Sequence, residues 1–207
     1  MKKLGLLDLE VSIGAAPKNL TLLGPVTVAA VSEAIRKDTG IVSWVHWPDL
    51  VTIDGKAVGR ALVSPSRSAL AVVIGATVNC SCPASEVAFS PTIPSTSILG
   101  ELGVEIDVDL LREKVLEAID WYSAEWERGA HGKLVSRIEP SIPWMGATVR
   151  VAMAKGARLE GRAAALDESG SLLLEGAGVQ TWSATLSPSE VECVLPVRQS
   201  PTKRTLL

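Results

Sequence analysis

The alternation of hydrophobic and polar residues predicts a chain of short strands interrupted by two long helices. Residues 7–13 alternate strictly between apolar and polar, which is the period of a strand with one face in water. We expect this strand to lie near a sheet edge. Gly24 and Pro25 predict the start of a helix with an apolar stripe, and Gly40 predicts its end.

Four short apolar runs, separated by turn residues, follow this helix. They cover residues 41–45, 50–53, 57–63 and 70–78. Asp54 and Gly55, between the second and third runs, are typical of a tight hairpin turn. The pattern therefore predicts a meander of antiparallel strands.

The next region combines a loop and a long helix. Residues 81–97 contain three prolines and several serines, and we expect a long loop over one face of the sheet. Asp107 predicts the start of a helix that ends at Gly129. Its apolar stripe has helical spacing and is predicted to be core: Leu111, Val115, Ile119, Tyr122 and Trp126.

Residues 140–143, with a proline at each end, predict a linker to a second unit. Beyond it lie five strand-length segments, at residues 147–154, 159–166, 171–174, 179–185 and 190–194, with the clearest turn at 167–170. Five short strands in so little chain are typical of a small β-barrel. We expect an α+β domain over residues 1–140, a barrel over 143–196, and a loose tail over 197–207.

Composition narrows the classes of protein that fit this pattern. A hydrophobic content of 47%, 21% charged residues and a mean hydropathy of +0.28 exclude a disordered chain. The net charge of −3 provides no general basic surface for nucleic acid or an anionic membrane, and we expect neither partner. The longest apolar run, residues 69–76, is far shorter than the roughly 20 residues that cross a bilayer.

The cysteines predict a reduced, cytoplasmic protein without a metal site. Cys80, Cys82 and Cys193 are odd in number, and no secretory signal precedes them. One residue between Cys80 and Cys82 is the wrong spacing for a zinc site, and His46 and His131 are distant in the sequence.

The candidate chemistry lies in three short motifs in a fixed order. Trp47, Pro48 and Asp49 come first, then Lys56-x-x-Gly59, then Gly75-x-x-x-Asn79. A lysine at the start of a strand, beside a glycine-rich neighbour, can hold a carboxylate or phosphate against bare backbone. A lysine next to a tight turn is also typical of an ordinary solvated surface residue, so these motifs alone leave both interpretations open.

The order of the motifs resembles that of biotin protein ligases, of the biotin/lipoate protein ligase family. The segment Ser95-Thr96-Ser97-Ile98, the long helix and the small C-terminal barrel continue the resemblance, which runs from about residue 7 to residue 194. It implies a mixed or antiparallel sheet packed on helices, as in class II aminoacyl-tRNA synthetases, and an SH3-like barrel. It also implies activation of biotin by ATP, with Mg2+, to biotinyl-adenylate, and transfer to a lysine of a biotin carrier protein.

The resemblance also implies roles for five residues. Lys56 would be the catalytic lysine that contacts the carboxylate of biotin and the α-phosphate. Asp49 matches the aspartate of the tryptophan-proline motif. Gly59 and Gly75 would let the ligand lie close to the strands, and Asn79 would be a polar contact near the phosphates and metal.

Several positions depart from the family pattern. The acid-amide pair after Trp47 and Pro48 is one residue short, Thr77 stands where glycine is usual, and Arg60 stands where an apolar residue is usual. The glycine-arginine loop that precedes this region in relatives is not in the sequence, so the N-terminal part of the catalytic domain is missing from the pattern.

Three functions therefore stay open, beside the alternative of an unrelated α/β protein in which the motifs match by chance. The first is a degenerate, ligase-like module for ligand binding or regulation. The second is one chain of a split biotin or lipoate ligase, whose partner is a complementary ligase fragment with the missing loop. The third is an active ligase that uses substitutes such as Arg60 or Arg67. A homodimer through the sheet is compatible with each.

Overall fold

The computed structural model describes residues 5–14, 20–65, 71–176 and 181–197. The strands that pair into the first sheet are β1 (Leu6–Gly14), β2 (Trp44–His46), β3 (Leu50–Ile53), β4 (Lys56–Pro65) and β5 (Ala71–Asn79). The helices are α1 (Leu20–Thr39), α2 (Ile98–Leu102), α3 (Val108–Glu127) and α4 (His131–Ile138). The strands of the second sheet are β6 (Thr148–Met153), β7 (Arg158–Leu166), β8 (Leu172–Gly176), β9 (Trp182–Leu186) and β10 (Val191–Pro196).

The first sheet confirms the predicted meander. Its order is β1-β5-β4-β3-β2 with antiparallel pairs, so the alternating strand lies at an edge as predicted. The predicted hairpin between β3 and β4 is also confirmed, since Asp54 and Gly55 have φ of 48° and 72°. Positive φ at both central residues is what this two-residue turn requires.

The start of α1 differs from the prediction. The helix begins at Leu20, not at Gly24, and Pro25 lies inside it. Pro25 removes one backbone hydrogen bond, but Leu22 and Leu23 are fully buried in the helical conformation. Burial of two leucines outweighs one lost bond, because each contributes about 1.5–3 kcal/mol.

Strand β2 is shorter than the predicted run of residues 41–45. The backbone N–H of Ile41 donates to the hydroxyl of Thr39, and the Ser43 hydroxyl donates to the carbonyl of Ser32. This stretch therefore bonds to the C-terminal half of α1 rather than to a neighbouring strand, and pairing with β3 begins only at Trp44.

The predicted long helix is confirmed as α3. The carboxylate of Asp107 accepts the N–H groups of Asp109 and Leu110 at its start, and Gly129 adopts a φ of 76° after its end. All five residues of the predicted stripe are buried.

Helix α4 was not predicted, although Leu134, Val135 and Ile138 form its buried face. The predicted linker folds as a 3-10 turn, Glu139–Ser141.

The second sheet confirms the five predicted strands, with bounds that shift by a few residues. Its order is β10-β6-β7-β8-β9, again antiparallel. The fold is therefore α+β with two antiparallel sheets. Within the described residues β9 and β10 do not pair, so the barrel stays a prediction, as do the domain bounds 1–140 and 143–196. Residues 198–207 of the predicted tail lie outside the described residues.

The two sheets meet at a junction between the start of the meander and the β7–β8 hairpin. Trp47 Nε1 donates to the carbonyl of Gly170 over 2.9 Å, and the Thr21 hydroxyl donates to the carbonyl of Ser169 over 2.8 Å. A Cβ placed on Gly170 would lie 2.9 Å from the Cα of Leu22. The apolar core runs through this junction without a break.

Candidate functional site

The candidate site lies on the face of the first sheet that turns away from α1 and α3, which we call the outer face. Helix-facing positions such as Leu7, Ile74 and Ala61 are buried in the core. The residues between them define the outer face, and cross-strand pairing sets them in rows. One row is Asp8, Thr77, Arg60 and Leu50, and the next is Glu10, Gly75 and Leu62.

An ion pair occupies one end of the first row. Arg60 Nε and Nη2 each lie 2.7 Å from Asp49 Oδ2. Asp49 lies just before β3, and the backbone N–H of Ala61 donates to its carbonyl. Because Leu50 pairs with Arg60 across the hairpin, this register places the carboxylate beside the guanidinium.

This ion pair borders a cavity of about 610 Å³ between the two sheets. The start of α1, the β4 segment Arg60 to Val63, the loop around Phe89 and the start of β10 form its walls. Glu192 adds a second carboxylate. A cleft of this size between two units, lined by both apolar and polar side chains, is a candidate small-ligand site. Of the five predicted site residues, Asp49 lines it.

Lys56 lies elsewhere on the sheet, at the start of β4, and is held by Glu101. Its Nζ donates to Glu101 Oε1 over 2.9 Å, and the Thr96 hydroxyl donates to the same oxygen over 2.6 Å. The hydrogen bond with Glu101 raises the pKa of Lys56. The hydrogen bonds from Thr96 and Lys56 lower the pKa of Glu101. The ammonium and carboxylate are therefore both charged and paired.

Asn79 is fully buried and anchors the loop that follows β5. Its Nδ2 donates to the carbonyls of Cys82 and Thr96, each over 3.0 Å, and its Oδ1 accepts the N–H of Cys82 over 2.8 Å. Both amide hydrogens are thus used to hold the two ends of the loop together. Through Thr96, this network connects Asn79 to the Lys56–Glu101 pair.

The two predicted glycines have different environments. A Cβ on Gly59 would lie 2.8 Å from the carbonyl oxygen of Thr77, so the close approach of β5 requires glycine here. A Cβ on Gly75 would meet nothing nearer than 3.8 Å. The strands do not require glycine at Gly75, which leaves bare backbone on the outer face between Glu10 and Leu62.

The predicted loop over the sheet is confirmed, and it also contacts the second sheet. Phe89 and Ile93 pack on Leu50 and Ala57 of the outer face. The Thr92 hydroxyl donates to Cys193 Sγ of β10 over 3.0 Å. The loop therefore closes one end of the cavity.

The structure thus joins Lys56 to Asn79 but separates both from Asp49. Sequence reasoning missed Glu101 as the partner of Lys56, and no local signal marks a contact between residues so far apart. It also missed the pairing of Asp49 with Arg60, although the hairpin register contained that signal.

No group of three or more histidine, cysteine or acidic residues among those described could hold a metal ion. The three cysteines are buried and form no disulfide. Burial raises the pKa of Cys80 to about 11, so this thiol is protonated at neutral pH. None of the described helices is long and apolar enough to cross a membrane.

No protein-family model matches this sequence, and no curated protein matches it. The fold, however, is similar to solved structures of biotin protein ligase from Aquifex aeolicus. The apo structure has a TM-score of 0.78 at 21% identity, over 93% of this chain and 83% of that chain. The structure in complex with biotin and ATP has a TM-score of 0.79 at 20% identity, over 93% of this chain and 79% of that chain.

A biotin protein ligase-like protein of unknown function from a Silicibacter species is also similar, with a TM-score of 0.70 at 14% identity. The similarity covers 89% of this chain and 79% of that one. These matches confirm the predicted resemblance at the level of the fold: the chain has a biotin protein ligase-like fold.

Proposed function

We propose that the chain is a biotin protein ligase-like binding module that holds a biotin-type ligand and is degenerate in ATP-dependent biotinyl transfer. The proposal includes an SH3-like barrel at residues 143–196 and a core like that of class II aminoacyl-tRNA synthetases at residues 1–140. The similarity of fold to the Aquifex aeolicus ligase across both regions supports this organisation.

One observation carries the proposal: both cations of the described first sheet are neutralised by the chain itself. The five described strands of this sheet contain one lysine, Lys56, and one arginine, Arg60. Each donates to a carboxylate of this chain, at 2.9 Å and 2.7 Å. A site that stabilises an acyl-adenylate needs cations directed at the phosphate.

The charges around the bare backbone of Gly75 support the same conclusion. Asp8 and Glu10 lie on the outer face in the rows that contain Thr77 and Gly75. Arg60, in the same row as Asp8, is already paired with Asp49, so the carboxylates of Asp8 and Glu10 add negative charge that repels a triphosphate. The residues present therefore do not fit ATP with Mg2+, and we derive no step through either.

The cavity beside Asp49 and Arg60 is the ligand site of this proposal. Its volume suits a molecule with an apolar body, and its ion pair can orient one polar group. The Aquifex aeolicus ligase has been solved with biotin and ATP, so biotin is the first ligand to test.

The test combines the protein with biotin, ATP, Mg2+ and a biotin carrier domain, and follows carrier mass and pyrophosphate release. We expect no biotinylated carrier and no pyrophosphate above background. Calorimetry with biotin alone should detect binding, weakened in Arg60→Ala. Carrier biotinylation at the rate of an active ligase would contradict degeneracy, and absence of biotin binding would contradict the binding role.

A variant that releases Lys56 makes the charge argument testable. Glu101→Gln should strengthen binding of AMP, a phosphate probe that does not require the cavity beside Asp49, about tenfold, because the Lys56 ammonium becomes available to the phosphate. Glu105→Gln, an exposed position four residues away, removes the same charge without touching Lys56 and is the matched control. Equal affinities in the two variants would contradict the argument.

A split ligase is a second candidate, and the position of β1 favours it. Within the described residues β1 pairs with β5 alone, so its other edge can accept a strand from a complementary fragment. Co-expression with a fragment that contains the glycine-arginine loop should then give a co-purifying complex with carrier-biotinylating activity. Recovery of the chain alone would count against this candidate.

A further inference from the structure

A groove on the helical layer, on the other side of the sheet from the outer face, contains an exposed tryptophan. Glu33 and Lys37 of α1, Lys114, Trp121 and Tyr122 of α3, and Arg137 of α4 form this groove of about 330 Å³, which we call the tryptophan groove. None of its residues belongs to the candidate site.

Trp121 is 40% exposed but fixed in position. The guanidinium carbon of Arg137 lies 4.7 Å from its ring centre, and Lys133 Nζ lies 5.5 Å away. Tyr122 packs against it edge-on, with ring centres 4.9 Å apart. A preordered aromatic ring loses little entropy on binding, and tryptophan, tyrosine and arginine are the residue types most enriched at binding hot spots.

The charges around the groove are layered, with carboxylates beneath and cations outside. Glu33 is 14% exposed and accepts both Lys37, at 2.7 Å, and Arg137, at 2.9 Å. Glu125, 12% exposed, likewise accepts both Arg128 and Lys133 at 2.7 Å. The four cations are 47% to 70% exposed.

This arrangement leaves positive charge at the surface, because each buried carboxylate is shared by two cations. Lys114 and Glu117 form a pair of one cation and one anion, so together they add no net charge to this surface. The five cations around Trp121 outnumber their partners Glu33, Glu117 and Glu125 by two, and exposed Asp120 beside Trp121 reduces this excess to one. The chain as a whole carries a charge of −3, so this surface has a local excess of positive charge on a protein of negative net charge. Such a contrast selects negatively charged partners.

Burial by itself would raise the pKa of Glu33, but hydrogen bonds from Lys37, Arg137 and Tyr122 lower it to about 2. The carboxylate therefore stays ionised and keeps its two cations in place at neutral pH. The groove is a formed structure before any partner arrives.

We propose that the tryptophan groove is a docking site for an acidic segment of a partner protein. An apolar side chain of the segment packs on Trp121, and its carboxylates face Lys37, Arg128 and Lys133. This inference does not depend on the ligand of the cavity, which lies on the opposite side of the sheet.

The test is a titration of the full chain with a short synthetic peptide that is rich in Asp and Glu and contains one central leucine. The readout is the ¹⁵N shift of the Trp121 indole together with the Kd from calorimetry. We expect saturable binding that weakens as salt is added, because the contacts are between exposed charges. Trp121→Ala should weaken binding at least about tenfold.

A matched control distinguishes docking in the groove from nonspecific binding to exposed aromatic side chains. Trp182 on β9 is 39% exposed, so Trp182→Ala removes an equally exposed ring far from the groove and should leave the Kd unchanged. Lys133→Gln, which removes the positive charge without adding a second carboxylate beside Glu125, should weaken binding, with circular dichroism to verify that the variant is folded. Absence of peptide binding, equal loss in the two tryptophan variants, or tighter binding of single-stranded nucleic acid than of the peptide would each overturn the proposal.

Discussion

The two sheets of this protein are stabilised in different ways. The first sheet carries α1 and α3 on one face, and its strands pack directly against both helices. The second sheet has no α-helix of its own among the described residues, and it packs through its β7–β8 hairpin and β10 on the first region. Stability of the second sheet therefore depends on contacts between residues distant in the sequence, and substitutions at the junction test this dependence most directly.

The largest expected effect comes from Gly170, which combines backbone strain with a steric clash. Gly170→Ala places a Cβ 2.9 Å from the Leu22 Cα, at a φ of 77°. We expect the free energy of unfolding to fall by about 3 kcal/mol, measured by chemical denaturation. Gly156→Ala is the control, because Gly156 has a φ of 85° with open space around it and should cost only about 1 kcal/mol. Equal losses would show that the junction contact contributes nothing.

Trp47 should have the next largest effect. Trp47→Phe removes the indole N–H that donates to Gly170 and leaves that buried carbonyl without a partner. We expect a loss of about 2 kcal/mol in the free energy of unfolding. Trp44→Phe, at a half-buried position of β2 three residues earlier, should cost less, and a reversed order would contradict the role assigned to the junction.

His46 gives the junction a pH dependence. Burial lowers the pKa of His46 to about 4, although its hydrogen bond with the backbone of Val194 raises it. Its Nε2 has no partner within the described part of the chain, so a proton there would be unpaired. An unfolded chain binds this proton near the ordinary pKa of 6.5, so stability should fall as the pH is lowered from 6.5 to about 4. His46→Phe should flatten Tm against pH in this range, and an unchanged slope would refute the assignment.

Glu33 should give the helical layer a separate and more acidic pH response. Its pKa lies at about 2 in the folded protein, below the ordinary value of 4.5, so its contribution to stability is present above 4.5 and is lost as the pH falls toward 2. Glu33→Gln should remove this component while leaving the His46 component intact. If His46→Phe and Glu33→Gln altered the Tm over the same pH range, the two regions would not titrate separately.

Much of the fold could be predicted from the sequence because strand alternation is local. The strict alternation of residues 7–13 located an edge strand, and Asp54 and Gly55 located a hairpin. The start of α1 could not be predicted in this way. Gly24 and Pro25 are typical of a helix start, and the burial of Leu22 that extends the helix depends on a hairpin almost 150 residues further along the chain.

The candidate site was less predictable than the fold. Lys56 was located by its motif, but its charge is controlled by Glu101, which the local sequence does not indicate. The same is true of Asn79, whose amide groups hold the ends of a loop. The order of motifs along the sequence identifies candidate site residues. The charge and hydrogen bonding of each residue depend on a side chain that is distant in the sequence.

Gly59 limits what such a motif can diagnose. Because a Cβ there would strike the carbonyl oxygen of the neighbouring strand, selection for folding alone preserves this glycine. A chain that had lost every catalytic function would still retain it. The lysine-x-x-glycine motif therefore reports the scaffold rather than the activity, and a search for ligases that relies on it will also collect proteins that share only the fold. Gly75, which the strands do not require, is the more informative position for separating the two groups.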